Sequence, residues 1–257
     1  MCGRYDNLIA REAYRLLFHA TRLPQSNFPP RYNVAPTDQI PIIRVDPRDG
    51  ERELVMARWG LVPWWAKQIP KIPHINARAE TVHEKALFWE AFAKRRALIP
   101  ATGFFEWQKR ADGKQPYRFQ HKDLEPFAFA GLWEFARLGG EEILSAAIIV
   151  GEPNPLAAAV HDRMPVILDP VDYDRWLSPD TSVDELRGKA VPGGMDGRAS
   201  GEPRREQRQE RQRGMHRSGR RRAAPSAGNA LKYQRGRFNE RPARLPQSCF
   251  LGALRRA

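Results

Sequence analysis

The sequence predicts an α+β domain built on a mainly antiparallel β-sheet or open barrel, with a few flanking helices and a basic C-terminal tail. Runs of apolar, β-branched and aromatic residues follow one another along residues 1–187 with few helical segments between them. All seven tryptophans lie in this part, at positions 59, 64, 65, 89, 107, 133 and 176. We therefore place one folded domain at residues 1–187 and a tail at residues 188–257.

Charge separates the two parts of the chain. Residues 1–187 hold 25 basic and 25 acidic side chains, whereas residues 188–257 hold 18 basic and 5 acidic ones and so account for the net charge of +13. The tail contains only seven Leu, Ile, Val or Phe residues, too few to bury a core, and is predicted to be disordered. Two interpretations stay open: an authentic nucleic-acid-binding tail, or the product of a reading-frame shift near residue 188.

Apolar spacing and turn residues predict the elements in chain order. A helix is predicted over residues 9–18, and the clearest amphipathic helix over residues 79–95. The proline-rich segment 29–36 is typical of an extended loop, and 59–65 of an ordered one. Asp112-Gly113 indicates a hairpin turn. Strands are predicted at 40–45, 53–59, 97–100, 104–109, 116–121, 127–137, 143–151 and 166–168, and short helices at 153–159 and 171–177.

Several classes of protein are excluded by what the sequence lacks. No run approaches 18 apolar residues, so no membrane-spanning helix is predicted, and residues 1–5 lack the apolar region of a secretory signal. Cys2 and Cys249 are too few for a disulfide framework or a zinc finger. Metal-ligand spacing and phosphate-binding glycine loops are also missing. We expect a cytoplasmic monomer that uses no metal and no cofactor.

Cys2 is the first candidate for chemistry. A lone cysteine is more often a small buried apolar group than a nucleophile. Removal of Met1 would change this, because Cys2 would then carry an α-amine with a pKa of about 7.7–8.0 next to its thiol. Such a 1,2-aminothiol attacks an aldehyde through the amine and then closes a thiazolidine ring through the thiol. No internal cysteine has this option.

Two further residues are candidates for proton transfer. Glu106 stands among aromatic residues in Gly-Phe-Phe-Glu-Trp, where burial would raise its pKa toward neutrality. The alternative is a salt-bridged residue at a strand end. His161 is a second candidate acid or base, although a structural histidine is the more common case.

Four other residues carry both a functional and a structural interpretation. Asn76 either binds a polar substrate group or caps a following helix, and Arg78 either binds a phosphate or is a solvated charge. Trp64 and Trp65 are either core residues or a platform on which nucleic-acid bases stack. Tryptophan pairs are more often part of a core.

Taken together, these motifs resemble the SOS response-associated peptidase (SRAP) family of abasic-site processing proteins. Seven blocks occur in family order between residue 1 and about residue 178. They are Met1–Tyr5, Arg31–Pro36, Trp59–Trp65, Ile75–Glu80, Gly103–Trp107, Phe129–Glu134 and His161–Pro165.

The resemblance implies a specific chemistry. Family members bind abasic sites in single-stranded DNA and form a thiazolidine crosslink between the N-terminal cysteine and the ring-opened sugar. By this resemblance Cys2 is the nucleophile, Asn76 positions its amine or the sugar, Glu106 transfers protons, and His161 assists ring opening or crosslink reversal. The expected DNA contacts come from Gly3, Arg4, Pro36, Trp64, Trp65 and Arg78, and the peptidase name reflects a proposed self-removal of Met1.

Two alternatives to this interpretation belong to other functional classes. An N-terminal-nucleophile glutamine amidotransferase also begins Met-Cys-Gly, but the glutamine-binding motifs of that class do not follow here. A non-catalytic protein could instead bind nucleic acid through residues 188–257 alone. Its binding would be indifferent both to abasic lesions and to Cys2.

Overall fold

The computed structural model describes residues 2–25, 28–121 and 123–187. Within these residues the strands are β1 (Arg4–Asn7), β2 (Arg31–Val34), β3 (Gln39–Val45), β4 (Arg52–Trp59), β5 (Asn76–Arg78), β6 (Arg96–Ala101), β7 (Gly103–Arg110), β8 (Gly113–Phe119), β9 (Phe127–Leu138), β10 (Glu141–Gly151), β11 (Met164–Pro165) and β12 (Ile167–Leu168). The helices are α1 (Ala13–Phe18), α2 (Trp89–Lys94), α3 (Pro155–Ala158), α4 (Tyr173–Leu177) and α5 (Val183–Arg187), and a 3₁₀ turn covers Pro170–Asp172.

Five of these strands form a barrel. The strands β4, β3, β6 and β9 pair in that order, and β10 closes the ring because it pairs with both β9 and β4. The β10–β4 and β10–β5 pairings are parallel, whereas the other strand pairings of the described residues are antiparallel. The predicted α+β class with a mainly antiparallel sheet or barrel is therefore confirmed.

A second, four-stranded sheet has the order β2-β1-β7-β8. Its β7–β8 hairpin has Arg110 opposite Gly113, so the turn predicted at Asp112-Gly113 is confirmed. Gly113 has a φ of +135°, a conformation that glycine adopts without a steric penalty. The pairing of β1 with β7 places Arg4 opposite Phe105, which brings the start of the chain alongside the middle of β7.

The core consists of two clusters on opposite faces of the barrel sheet. Neighbouring residues of β6 alternate between them. Leu98 belongs to the cluster that contains residues of α1, α2 and α4. Ile99 belongs to the cluster that contains Cys2, which precedes β1, and Phe104 of the four-stranded sheet. Because both faces are covered, β9 is buried without interruption from Phe127 to Glu134. This sandwiching holds the four-stranded sheet, and the residues before β1, firmly against the barrel.

The predicted amphipathic helix over residues 79–95 is wrong for most of its length. Only Trp89–Lys94 is helical, and successive turns cover residues 79–84 and 86–88. The sheet decides this, because Ala79 N donates to Val150 O directly after β5 has paired with β10. Val82, Phe88 and Phe92 of the predicted apolar face are buried, but Ala86 and Trp89 are exposed.

Several other elements differ from prediction. Part of the expected loop 29–36 is a strand, because Arg31–Val34 pairs with β1, and the expected helix 9–18 is shortened to α1. The strands β1 and β5 and the helix α5 were not predicted. The tail predicted at 188–257 lies outside the described residues. No helix among the described residues is long and apolar enough to cross a membrane.

Candidate active site

Cys2 and Asn76 meet at the entrance to β1. Cys2 is fully buried, and its carbonyl oxygen accepts a hydrogen bond of 2.9 Å from Asn76 Nδ2. Asn76 is held by the parallel pairing of β5 with β10, where it lies opposite Ile148. Its Oδ1 is buried and accepts no hydrogen bond from the described part of the chain. An acceptor is thus available beside the backbone of Cys2.

Glu106 lies next to this pair because of the sheet register. With Arg4 opposite Phe105, the antiparallel pairing runs the residues before Arg4 past Glu106. The Glu106 side chain is 3% exposed, and burial raises its pKa above the ordinary value, opposed by the nearby His161. The carboxyl group is therefore suited to hold a proton at a higher pH than an ordinary glutamate.

His161 faces Glu106 from the segment that follows α3. Its Nε2 lies 3.8 Å from Glu106 Oε2, and its Nδ1 accepts a hydrogen bond of 3.0 Å from the Arg163 backbone N–H. An Nδ1 that accepts places the proton of the neutral ring on Nε2, toward Glu106. The Asp162 carboxylate lies 2.9 Å from the same Nδ1.

Burial raises the pKa of the Cys2 thiol well above its usual range, and the charge of Glu106 raises it further. The Sγ atom is 3.8 Å from the carbonyl oxygen of Arg4. Cys2 therefore carries a protonated thiol in this environment. Any reaction at sulfur requires a neighbouring group to accept that proton, and Glu106 is the carboxylate whose charge reaches it.

The segments that carry Pro36, Trp64 and Asn76 all attach at the end of β4. The backbone N–H of Thr37 donates to Trp59 O, and the Trp59 indole donates to Ile75 O at 3.1 Å. Gly60 follows with a φ of +134°, and a Cβ there would lie 2.9 Å from Pro73 Cβ. This crowding is the reason that only glycine fits where the chain turns toward Trp64.

The predicted DNA contacts lie on the surface around these segments. Trp64 and Trp65 are 57% and 54% exposed, so the interpretation of the pair as core residues is wrong. Arg78 is exposed on β5, and Asn76 does not cap a helix, because a strand and then turns follow it. Pro36 and Gly3 are half-buried, as is Arg4, whose guanidinium donates to Gly3 O at 2.8 Å.

Comparison with known proteins decides the family. A family model described as SOS response associated peptidase (SRAP) matches residues 1–194. The chain belongs to the SRAP family.

Relatives within this family are named for one activity. The chain is 40% identical over 203 residues to "Abasic site processing protein YoaM" of Bacillus subtilis, covering 76% of this chain and 88% of that protein. It is 31% identical over 198 residues to "Abasic site processing protein YedK" of Escherichia coli, covering 75% and 86%. The match to "Abasic site processing protein HMCES" of Xenopus tropicalis is 30% identical over 182 residues, covering 58% and 54%.

Solved structures share the SRAP architecture seen here. A protein of Bacteroides thetaiotaomicron superposes with a TM-score of 0.68 at 29% identity, covering 77% of this chain and 91% of that chain. A protein of Bordetella bronchiseptica gives a TM-score of 0.67 at 30% identity, covering 77% and 99%.

Sequence reasoning missed some residues that shape the SRAP site. Arg163 forms an ion pair with Glu80, which links the His161 segment to the turn after β5. Gln108 donates to Ala159 O at 2.8 Å. Strand alternation signals that Gln108 shares a face with Glu106, but the contacts themselves cross long separations in sequence. Among the described residues, no group of three His, Cys, Asp or Glu side chains is placed to hold a metal ion.

Proposed function

We propose that this chain processes abasic sites in single-stranded DNA by forming a covalent thiazolidine crosslink through Cys2 after Met1 has been removed. Membership of the SRAP family and the names of its relatives support abasic DNA as the substrate. The setting is the response to DNA damage, including the SOS response. The peptidase activity of the family name corresponds to removal of Met1 by the protein itself.

The hydrogen bond from Asn76 to the Cys2 carbonyl is the observation that carries this proposal. It fixes the backbone of Cys2 at the point where removal of Met1 would free an amine. The charge of Glu106 reaches the Cys2 thiol, and His161 lies 3.8 Å from Glu106. One amine, one thiol and two groups able to move protons are thereby assembled around a single carbon–carbon bond.

The proposed reaction proceeds in balanced steps. The ring-opened sugar of an abasic site presents an aldehyde, and the Cys2 amine adds to its carbon. The resulting hydroxyl leaves as water when Glu106 donates a proton, which gives an iminium ion and the Glu106 carboxylate. The carboxylate then takes the thiol proton while sulfur adds to the iminium carbon, so the ring nitrogen keeps its hydrogen and Glu106 is protonated again. Closure of the five-membered ring forms one C–S bond and consumes no oxidant or reductant.

The environment of Cys2 orders these steps. Its thiol holds its proton because burial raises the pKa, whereas an α-amine has an ordinary pKa of about 7.7–8.0 and is partly neutral at physiological pH. The amine is therefore the first nucleophile. His161, with Nε2 directed at Glu106, assists ring opening of the sugar or reversal of the crosslink.

Surface groups around the site supply the proposed contacts to DNA. Gly3, Arg4 and Arg78 contact phosphates that flank the lesion, and Pro36, Trp64 and Trp65 pack against the distorted strand. The two tryptophans are exposed enough to stack on unpaired bases. The glutamine amidotransferase alternative receives no support from the family match.

The test is incubation with a single-stranded oligonucleotide that bears one abasic site, followed by a denaturing gel. We expect a heat-stable crosslink from the wild type and none from Cys2→Ala. Cys2→Ser should leave at most a Schiff base that borohydride traps, because a hydroxyl does not close a durable thiazolidine. An oligonucleotide without the lesion is the control for DNA.

Retention of Met1 behind an uncleaved tag should also abolish the crosslink, because the thiol then remains but the free amine does not. Mass spectrometry of the untagged protein checks that its first residue is Cys2. An undiminished crosslink from the tagged protein would contradict the proposed mechanism. A glutaminase assay distinguishes the proposed function from the glutamine amidotransferase alternative, which requires hydrolysis of glutamine.

A further inference from the structure

The Gln108 side chain connects the strand that carries Glu106 with the segment that carries His161. Alternate residues of β7 share a face, so Gln108 and Glu106 point the same way. The Gln108 Nε2 atom donates to the carbonyl oxygen of Ala159 at 2.8 Å. Ala159 stands two residues before His161. A single side chain thus ties the backbone before His161 to the strand of Glu106.

The amide of Gln108 is held in one orientation. Its Oε1 accepts from Arg110 Nε at 2.9 Å and from the Tyr117 hydroxyl at 3.2 Å. Because two donors converge on this oxygen, the amide nitrogen must be the atom that faces Ala159. Tyr117 belongs to β8 and also accepts from Arg110, so the hairpin itself supports the amide.

Backbone hydrogen bonds tie the start of the His161 segment to α3. The N–H groups of Val160 and His161 both donate to Ala157 O at 2.9 Å, and the Asn154 side chain caps α3. The Gln108–Ala159 hydrogen bond adds a direct side-chain contact between this short segment and β7, on the side opposite, in sequence, to the Arg163–Glu80 ion pair. Since Glu106 and His161 are 3.8 Å apart, a shift of a few tenths of an ångström changes whether they exchange a proton directly.

We propose that Gln108 is a positioning residue, which sets the distance between Glu106 and His161 for the proton transfers of crosslink formation and reversal. This inference rests on the proposed function for the roles of Glu106 and His161. It assigns to Gln108 no contact with DNA.

The test compares Gln108→Met with Gln115→Met. Methionine matches glutamine in length but donates no hydrogen bond. Gln115 lies directly opposite Gln108 in the β7–β8 pairing, and its side chain donates to the carbonyl oxygen of its neighbour Pro116. At saturating abasic oligonucleotide, Gln108→Met should slow crosslink formation or reversal about tenfold, and Gln115→Met by less than about twofold. Affinity for the oligonucleotide should not change.

A double-mutant cycle separates positioning from general destabilisation. In the His161→Ala background, Gln108→Met should cause no further slowing, because the group that it positions is already absent. Equal slowing in both backgrounds, or equal effects of Gln108→Met and Gln115→Met, would overturn the proposal. Tyr117→Phe removes one of the two donors to Gln108 Oε1 and should give a smaller effect in the same direction, which keeps the test available if Gln108→Met unfolds.

An NMR titration of the His161 imidazole in the full chain does not depend on activity. Gln108→Met should change the titration of His161, whereas Gln115→Met should leave it unchanged. If the wild type forms no crosslink, the proposed function fails and the titration alone decides whether Gln108 positions His161. An identical His161 titration in the wild type and Gln108→Met would refute the positioning role even if crosslinking occurs.

Discussion

Glu106 shows how one buried side chain couples stability to pH. Burial raises its pKa, so the folded state favours the protonated acid more than the unfolded state does. Stability is therefore lost as the pH rises through the interval between the ordinary value, about 4.3, and the raised one. Below that interval both states hold the proton, and the penalty disappears. The domain thus carries an ionisable group at a cost to its own stability.

Glu106→Gln should remove this penalty together with the chemistry. At pH 7 we expect the Tm to rise by a few degrees, since roughly 1 kcal/mol corresponds to about 2–4 °C for a domain of this size. At a pH near 4 the gain should vanish. Crosslinking at pH 7 should fall by about 10²–10⁴-fold with little change in DNA affinity. Thermal unfolding at both pH values and a time-resolved gel measure these effects, and Glu142→Gln, at an exposed carboxylate, is the control. If Glu106→Gln crosslinks at the wild-type rate, the role of Glu106 is structural.

At the scale of elements, side chains from α2 and β9 hold the exposed loop of Trp64. The Trp64 indole N–H donates to Glu90 Oε2 at 3.0 Å, and this hydrogen bond, followed by Arg95, lowers the pKa of Glu90. Arg95 in turn donates to Glu134 Oε2 at 2.8 Å on β9. An indole that is more than half exposed is therefore fixed in direction before any partner arrives.

Loss of this support should weaken DNA binding. Glu90→Ala frees the indole, and we expect affinity for single-stranded DNA to fall about 2–10-fold. This range corresponds to the loss of one hydrogen bond that contributes about 0.5–1.5 kcal/mol. In the Trp64→Ala background the same change should have almost no effect. Fluorescence anisotropy titrations measure both, and Glu84→Ala, a nearby exposed carboxylate, is the control. Equal losses in the two backgrounds would mean that Glu90 acts independently of Trp64.

Across the whole molecule, Arg96 joins the barrel to the end of α4 and to the residues that follow it. Its buried guanidinium donates to five backbone carbonyls, and burial lowers its pKa. These carbonyls belong to Phe92, Ala93, Trp176, Ser178 and Thr181. One side chain thus satisfies the ends of both α2 and α4.

Arg96→Met should be strongly destabilising because it leaves several buried carbonyls without donors. We expect a loss of about 2–4 kcal/mol in the free energy of unfolding, measured by urea denaturation. Arg137→Met, which breaks an exposed ion pair with Glu142, should cost less than about 1 kcal/mol. Similar losses for the two variants would show that Arg96 does not hold these segments together.

Residues 188–257 carry the net charge and should dominate the salt dependence of nucleic-acid binding. Each phosphate neutralised on a single strand contributes about −0.7 to the log–log salt slope. Deletion of these residues should flatten the slope for intact single-stranded DNA, while the lesion requirement and the Cys2 dependence of crosslinking stay unchanged. Titrations at several salt concentrations, with circular dichroism to verify folding, check this prediction. A truncated, folded domain that keeps the full slope, or loses lesion selectivity, would contradict the division at residue 187.

Local sequence was enough to predict the fold class and most strands, and it singled out the residues that the structure brings together around Cys2. Period-two apolar runs and the Asp112-Gly113 turn depend on neighbouring residues alone, so the β7–β8 hairpin and the long strands β9 and β10 were predicted correctly. Cys2, Asn76, Glu106 and His161 were found as chemical types within motifs. Their roles came from the family resemblance rather than from any spacing.

How these residues meet depends on the packing of the whole chain. The amphipathic pattern over 79–95 satisfied a helix, yet pairing of β5 with β10 turned the chain before a helix could begin, because sheet hydrogen bonds and burial of Val82 and Phe88 outweigh local preference. Three hydrogen bonds illustrate this. They join Trp64 to Glu90, Asn76 to Cys2 and Gln108 to Ala159, which are 26, 74 and 51 positions apart in the sequence. Contacts of that range follow from how strands register and pack, and no local pattern in a chain encodes them.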